Sequence, residues 1–272
     1  VNRLVFCTLA LAAAGAARPG RAQDNVRAED LVEVSAGVAV GELGPGRPLE
    51  VALELRLRRG WHVYWKNPGA SGMPPEVTLK APPGFRVGAI RWPRPRVFGT
   101  GGDAAYGYEE RAVLFVPVTA PDPLPAERPL PLEAELSLMV CREVCLLGTF
   151  RARADLSGPA APERWGADRA ALPRPLADLP GARATLAGET LEVTGPAGAF
   201  GRARFLPEDG PGVSFGTPSG EVRDGRFALR VPVKLRPEEA GGRPLRVAGL
   251  AALGEGDRDP CYEVVVEVSG KD

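Results

Sequence analysis

Between positions 49 and 57 the chain reads LEVALELRL, with apolar and polar residues alternating without a break. Leu49, Val51, Leu53, Leu55 and Leu57 fall on one side of a strand of this period, and Glu50, Glu54 and Arg56 on the other. That pattern marks a strand with one face in a core and one in water. It returns at 130–140, where Leu132, Ala134, Leu136, Leu138 and Val140 share a face. Further strands are predicted at 32–40, 61–65, 76–80, 86–91, 112–119 and 149–156. Turn residues separate them at short intervals, as in an antiparallel sandwich and unlike alternating strand–helix units.

From about 157 to 180 the alternation dissolves into a stretch rich in Pro, Ala and Gly, read as a linker with one short helix at 163–171. Strand-like runs resume at 183–194, 201–206, 212–216, 221–234, 244–251 and 261–268. The expectation is an all-β chain of two antiparallel β-sandwich domains, at 23–156 and 181–272. Residues 1–22 are set apart as a secretory signal peptide. Arg3 is followed by the apolar run LVFCTLALAAAGAA (4–17), and Gly20-Arg21-Ala22 offers small residues for cleavage. The run falls short of the roughly 20 residues that span a bilayer. Cys7, within it, is expected to leave with the signal. Val1 in place of Met fits an alternative bacterial start codon. No other segment of the mature chain, 23–272, is apolar enough to cross a membrane, so a soluble protein in an oxidising compartment is expected.

Composition sharpens this only in part. Lys plus Arg and Asp plus Glu both total 34, interspersed along the chain. That balance gives no basic stripe and no support for nucleic-acid binding. The 34 Gly and 29 Pro fit many short elements joined by turns. The chemistry is sparse: one histidine, His62, and four cysteines.

Two of those cysteines, Cys141 and Cys145, flank Arg142-Glu143-Val144 in LMVCREVCLLG (138–148). As a staple the pair is weak, since so short a closed loop contributes roughly 2 kcal/mol against about 4.7 for a hundred-residue loop. Counting back from Cys141, its side of the strand carries Met139, Ser137, Glu135 and Glu133, the face opposite the core. With 142–144 as a hairpin loop, the cysteines sit opposite each other on adjacent strands, pointing outward. Such a pair has Cα atoms about 4.5 Å apart, near enough to bond. A metal clamp is the second reading: the spacing suits zinc, but only His62 and Cys261 remain to complete four ligands. Cu(I), which needs fewer thiolates, stays open, with His62 or Met139 as helper. A redox-active dithiol is the third.

The blocks GWHVYWKNPGASGMPPEVTLKAPPGF (60–85), IRWPRPRVF (90–98), YGYEE (106–110) and VCREVCLLG (140–148) occur in order. Together they closely resemble the N-terminal periplasmic domain of the DsbD/ScsB protein-disulfide reductases over roughly 30–155. Residues 181–272 resemble, with weaker signatures, the second β domain of the longer ScsB-like members. The resemblance implies immunoglobulin-like sandwiches and a Cys141/Cys145 pair that cycles between dithiol and disulfide, with no cofactor. It implies a periplasmic protein-disulfide reductase component. Electrons would come from a membrane-embedded donor and pass to thioredoxin-like partners, such as disulfide isomerases or cytochrome c maturation factors. By motif position Cys145 would accept the partner's attack, and a loop at 94–108 would cap the pair with Phe98 as its lid. DsbD spaces its cysteines more widely, which places this chain with the ScsB-like branch. Because the sequence ends at Asp272, the donor is expected to be a separate protein.

Around the pair, Trp61, Tyr64 and Trp65 are expected either to wall the cysteines or to pack in the core; Tyr64 also recurs in the family. Tyr108 joins Phe98 among the cap residues, in a segment (92–108) whose prolines and glycines suit a lid or any long loop. Arg142 beside the pair favours a thiolate and Glu143 opposes it, which fits a pair that is attacked by others. Cys261, the odd cysteine, is expected to be a buried free thiol. The functional expectation is thiol–disulfide interchange through Cys141 and Cys145. The alternative is copper binding or copper tolerance through the same cysteines and His62.

Overall fold

The computed structural model describes residues 26–268; the expected signal peptide and Cys7 lie outside them. In chain order the strands of the first half are β1 (Val32–Val40), β2 (Pro48–Leu57), β3 (His62–Gly69), β4 (Glu76–Lys80) and β5 (Arg86–Val87). They continue with β6 (Arg96–Phe98), β7 (Ala105–Glu109), β8 (Arg111–Thr119), β9 (Pro131–Cys141) and β10 (Cys145–Asp155). One sheet runs β1-β2-β8-β5; the other runs β10-β9-β3-β7-β6, with β4 also pairing with β9. Every pairing in both is antiparallel.

The alternation read from sequence sets which face of each sheet is covered. Leu49, Val51, Leu53 and Leu55 of β2 meet Leu132, Leu136, Leu138 and Val140 of β9 in one buried cluster with Val63 and Trp65 of β3. Each such side chain, removed from water, contributes about 1.5–3 kcal/mol. The other face of β2 departs from the expectation of solvent exposure. Glu54 is 0% exposed and Glu50 is buried. They lie under a helix, α1 (Pro162–Ala170), within the stretch read as a linker. Trp165 of α1 packs with Ala52, Val113 and Phe115. Gly37 makes room for it, since a Cβ there would lie 2.6 Å from the indole. The Trp165 indole N–H donates to Glu54 at 3.0 Å, as do Arg111 at 2.7 Å and Arg164 at 2.7 Å. A carboxylate with that many donors is stable without water.

The second half adds β11 (Arg174–Pro175), β12 (Arg183–Ala187), β13 (Thr190–Pro196), β14 (Ala203–Glu208), β15 (Val213–Phe215), β16 (Ser219–Arg223), β17 (Arg226–Leu235), β18 (Leu245–Leu253) and β19 (Cys261–Val268). Its sheets run β11-β19-β18-β14 and β12-β13-β17-β15, with β16 also pairing with β17. Leu191, Val193, Phe205, Phe227, Leu229, Val231, Val247 and Val264 fill the space between them. The two halves touch through apolar and polar contacts. Leu206, Leu250, Ala252 and Cys261 belong to the same buried cluster as the first core, and the Asn67 amide donates to the Pro207 carbonyl at 2.8 Å. No helix among the described residues is long and apolar enough to cross a membrane.

Candidate functional site

β9 carries its apolar residues inward up to Val140, which leaves Cys141 on the outer face as the strand ends. The chain turns through 142–144, closed by the Arg142 N–H donating to the Val144 carbonyl at 3.0 Å. β10 then returns with Cys145 opposite Cys141, Leu147 opposite Met139 and Thr149 opposite Ser137. The two cysteines are joined as a disulfide with Cα atoms 4.1 Å apart. The hairpin geometry expected from alternation is the one observed.

One expectation about the pair does need correcting. Alternation alone leaves both cysteines open, because both point away from the main core, whereas the resemblance puts Phe98 over the pair. Cys145 is exposed, but Cys141 is only 2% exposed. A second, smaller apolar cluster covers it on the outer face, formed by Tyr64, Ala105, Phe98 and Met139. Only Met139 belongs to β9; the other three come from β3, β6 and β7, so the local alternation of β9 does not reveal them.

The cover is built on the β3–β7–β6 side of the sheet. His62 of β3 pairs with Cys141 of β9 on one side and with Glu109 of β7 on the other. Cys145, Cys141, His62 and Glu109 therefore form one row across four strands. Tyr64, two residues along β3, shares that face, and its hydroxyl lies 3.3 Å from His62 Nε2. Phe98 ends β6 and lies against His62 with ring centroids 5.0 Å apart. Behind Tyr64 the chain passes at Gly72, whose φ is +91° and whose Cβ, if present, would sit 2.3 Å from the Tyr64 ring. Only glycine satisfies both the left-handed backbone and that approach.

The charges near the row are fixed by pairing. Burial lowers the His62 pKa, partly countered by Glu109. Glu109 in turn accepts from Arg96 Nη1 at 3.0 Å. Arg142, next to Cys141, lies over the Trp61 ring at 5.4 Å. Trp61 and Tyr108 are on the inner side, in the main core. The Tyr108 hydroxyl donates to the Pro93 carbonyl at 2.9 Å, and burial pushes its pKa well above the ordinary value. The structure thus brings Tyr64 and Phe98 onto Cys141 and places Trp61 and Tyr108 across the sheet from it. Sequence reasoning gave no role to Arg96, Glu109 or Ala105 and only a helper's role to Met139; the cross-strand register alone reveals their placement. Among the described residues, no group of three or more His, Cys, Asp and Glu side chains is arranged to hold a metal ion.

The rim of the exposed sulfur is apolar. Val144 in the loop is 60% exposed and Leu147, on the same face as Cys145, is 68% exposed. Single exposed apolar residues are commonplace. Two beside exposed Cys145 make a small apolar border on that side of the hairpin.

Comparison with known proteins places this geometry. Residues 28–154 match the family described as "Thiol:disulfide interchange protein DsbD, N-terminal". No curated protein sequence matches the chain. Among solved structures, the N-terminal periplasmic domain of ScsB from Proteus mirabilis superposes with a TM-score of 0.58 at 19% identity, over 88% of this chain and 92% of that one. The reduced N-terminal domain of DsbD from Neisseria meningitidis covers 50% of this chain and 93% of its own, at 19% identity and a TM-score of 0.32. The ScsB likeness extends over both halves and shows a shared immunoglobulin-like all-β fold.

Proposed function

Because residues 28–154 belong to the DsbD N-terminal family of thiol–disulfide interchange domains, we propose that this chain passes electrons through Cys141 and Cys145 to thioredoxin-like proteins in the periplasm. The observation that supports this most directly is the unequal cover on the two cysteines: Cys145 exposed, Cys141 buried beneath Tyr64 and Phe98. Exchange needs one sulfur that a visitor reaches and one that leaves.

The steps follow from that asymmetry. A donor thiolate attacks Cys145 Sγ, the intramolecular bond breaks, and Cys141 leaves as a thiolate that takes up a proton. The donor's second thiolate then attacks its own sulfur in the mixed disulfide, releasing oxidised donor and the Cys141/Cys145 dithiol. Delivery reverses the order. The Cys145 thiolate attacks the acceptor's disulfide, and Cys141 then attacks Cys145 Sγ to free the reduced acceptor. Two electrons and two protons move in each direction, with no cofactor. Val144 and Leu147 offer the visitor an apolar seat beside the attacked sulfur. A membrane-embedded protein is the proposed source of electrons.

Two variants, each with one cysteine of the pair replaced in a Cys7→Ser chain, test the reading. A thioredoxin-like protein with one cysteine activated as its thionitrobenzoate disulfide is mixed with Cys141→Ser or Cys145→Ser, and coloured thiol release is followed. Cys141→Ser, which keeps the exposed thiol, is expected to react at least about tenfold faster than Cys145→Ser. Equal rates would remove the assigned roles. Failure of a reduced thioredoxin-like protein to open the wild-type disulfide, together with tight Cu(I) binding by the dithiol form, would replace the proposal with a copper-handling one.

A further inference from the structure

Phe98 reaches the cysteine pair from a segment that the second domain holds. Four residues before it, Arg94 is only 7% exposed. Its guanidinium donates to three main-chain carbonyls at the end of β18 and in the loop to β19: Leu253 at 2.6 Å, Gly254 at 2.8 Å and Asp259 at 3.4 Å. Two residues before Phe98, Arg96 binds the Asp257 carboxylate at 2.6 and 3.0 Å. Through its other arm it holds Glu109, the residue paired with His62. On its far side the loop after Phe98 faces a cleft of about 220 Å³. Val97, Thr100 and Ala104 line one wall, and Arg204, Thr217 and Ser219 of the second domain line the other. The cap is therefore fastened at its root and has space behind its tip.

We propose that Arg94 and Arg96 are positioning residues for the cap, and that the second domain is the body against which they brace Phe98 over Cys141. This rests on the reading of Cys141–Cys145 as an exchanging pair. The physical link runs through the leaving group. Attack on Cys145 develops a thiolate at Cys141, and beneath Phe98 and Tyr64 that anion is shielded from water. A poorly solvated thiolate is a poor leaving group. Lifting Phe98 toward the cleft hydrates it. Bracing the cap thus slows casual reductants, while a docked partner that displaces Phe98 exchanges freely. Asp257 sets the exposed part of the brace and the Arg94 carbonyl clasp the buried part.

Reduction of the disulfide by dithiothreitol reads the cap without any protein partner. In a full chain carrying Cys7→Ser, the rate is measured for the parent, Asp257→Asn, Arg94→Gln and Arg94→Lys, with maleimide labelling of buried Cys261 as a check on the domain contact. Asp257→Asn and Arg94→Gln are expected to speed reduction about three- to tenfold, the scale of losing the net contribution of one typical hydrogen bond. Arg94→Lys is expected to recover part of the parent rate. Rates unchanged in both Asp257→Asn and Arg94→Gln overturn the proposal, whether or not Cys261 becomes reactive. Should Arg94→Gln fail to fold, Asp257→Asn decides alone, because Asp257 is at the surface. Faster reduction by dithiothreitol in a chain that exchanges with no thioredoxin-like protein would sink the proposed function and leave the brace standing.

Discussion

At the scale of single residues, the site works by placing ordinary side chains in unequal surroundings. Nothing in Cys141 or Cys145 alone sets the two sulfurs apart; the proposed assignment of attacked and leaving sulfur rests on the cover of Tyr64, Phe98, Ala105 and Met139. His62 sits in the same cross-strand row, between Cys141 and Glu109. Burial lowers its pKa below the ordinary 6.5, with Glu109 working in the opposite direction. The facing groups are the Tyr64 hydroxyl on its own strand, Glu109 on β7 and, through Glu109, Arg96 on β6. The imidazole is therefore neutral at pH 7, which keeps a positive charge away from the apolar cap. In the unfolded chain a histidine binds its proton near 6.5, whereas in the folded chain it does so only at lower pH. The stability owed to neutral His62 is thus present above 6.5 and is lost as pH falls from there toward the folded value. Because His62 is the only histidine in the chain, an NMR titration of the oxidised protein reads it without assignment. The midpoint is expected below 6.5, and Glu109→Gln is expected to lower it further. A midpoint at or above 6.5 in the parent contradicts this account.

Among the elements, α1 shows how a polar face becomes an interior. Burial by itself would raise the Glu54 pKa, but donors from Arg111, Trp165 and Arg164 outweigh it and hold the value at about 2. Arg111 also grips Asp168 of α1 with two bonds, at 2.7 and 2.9 Å. Glu54→Gln should destabilise the chain by about 2 kcal/mol at pH 7, toward the low end for a broken buried pair because the arginines are partly solvated. The contribution is present above the unfolded value of 4.5 and is lost as pH falls from there toward 2, so the gap between variant and parent should narrow in acid. Urea midpoints at pH 7 and pH 4 test both statements, and equal midpoints at pH 7 would remove Glu54 as the anchor of α1. The alternation of LEVALELRL correctly assigns the leucines to the core, yet it is silent about the glutamates, whose partners on α1 lie more than a hundred positions away. Prolines and glycines in 92–108 hide the short β6 and β7, whose pairing is long-range or brief. The run expected at 221–234 is instead a hairpin, β16 to β17, turned by Asp224 and Gly225 at φ +50° and +69°. Asp-Gly is a strong signal for that turn, so this break was legible in the sequence. The hairpin bearing the cysteines was legible too, because strict alternation runs unbroken into a short loop. The cover over Cys141 was not legible in the alternation, because it is assembled from register between distant strands; only the family resemblance pointed to Phe98 and Tyr64.

Across the whole molecule, the contact between the halves makes the second sandwich part of the first one's environment. Leu206, Leu250, Ala252 and Cys261 are packed into the same buried cluster as the β2 and β9 core, and Arg94 closes the polar rim around them. Separate domains commonly unfold independently, but two that share buried apolar surface and a buried guanidinium should unfold in one cooperative step. Cys261 offers a probe of that step at the contact itself. Burial pushes its thiol up to about 12, with nearby Arg94 offsetting part of the rise. Neutral-pH maleimide should therefore leave it untouched in the native chain. With Cys7→Ser in the chain and Cys141–Cys145 oxidised, Cys261 is the single free thiol. Its labelling in rising urea is expected to coincide with the loss of far-ultraviolet circular dichroism. Labelling at urea concentrations where the strand signal is still native would mean that the halves part before either unfolds. In that case the second domain could not hold the root of the cap in the native protein, because the carbonyls that clasp Arg94 belong to the loop leading directly into Cys261.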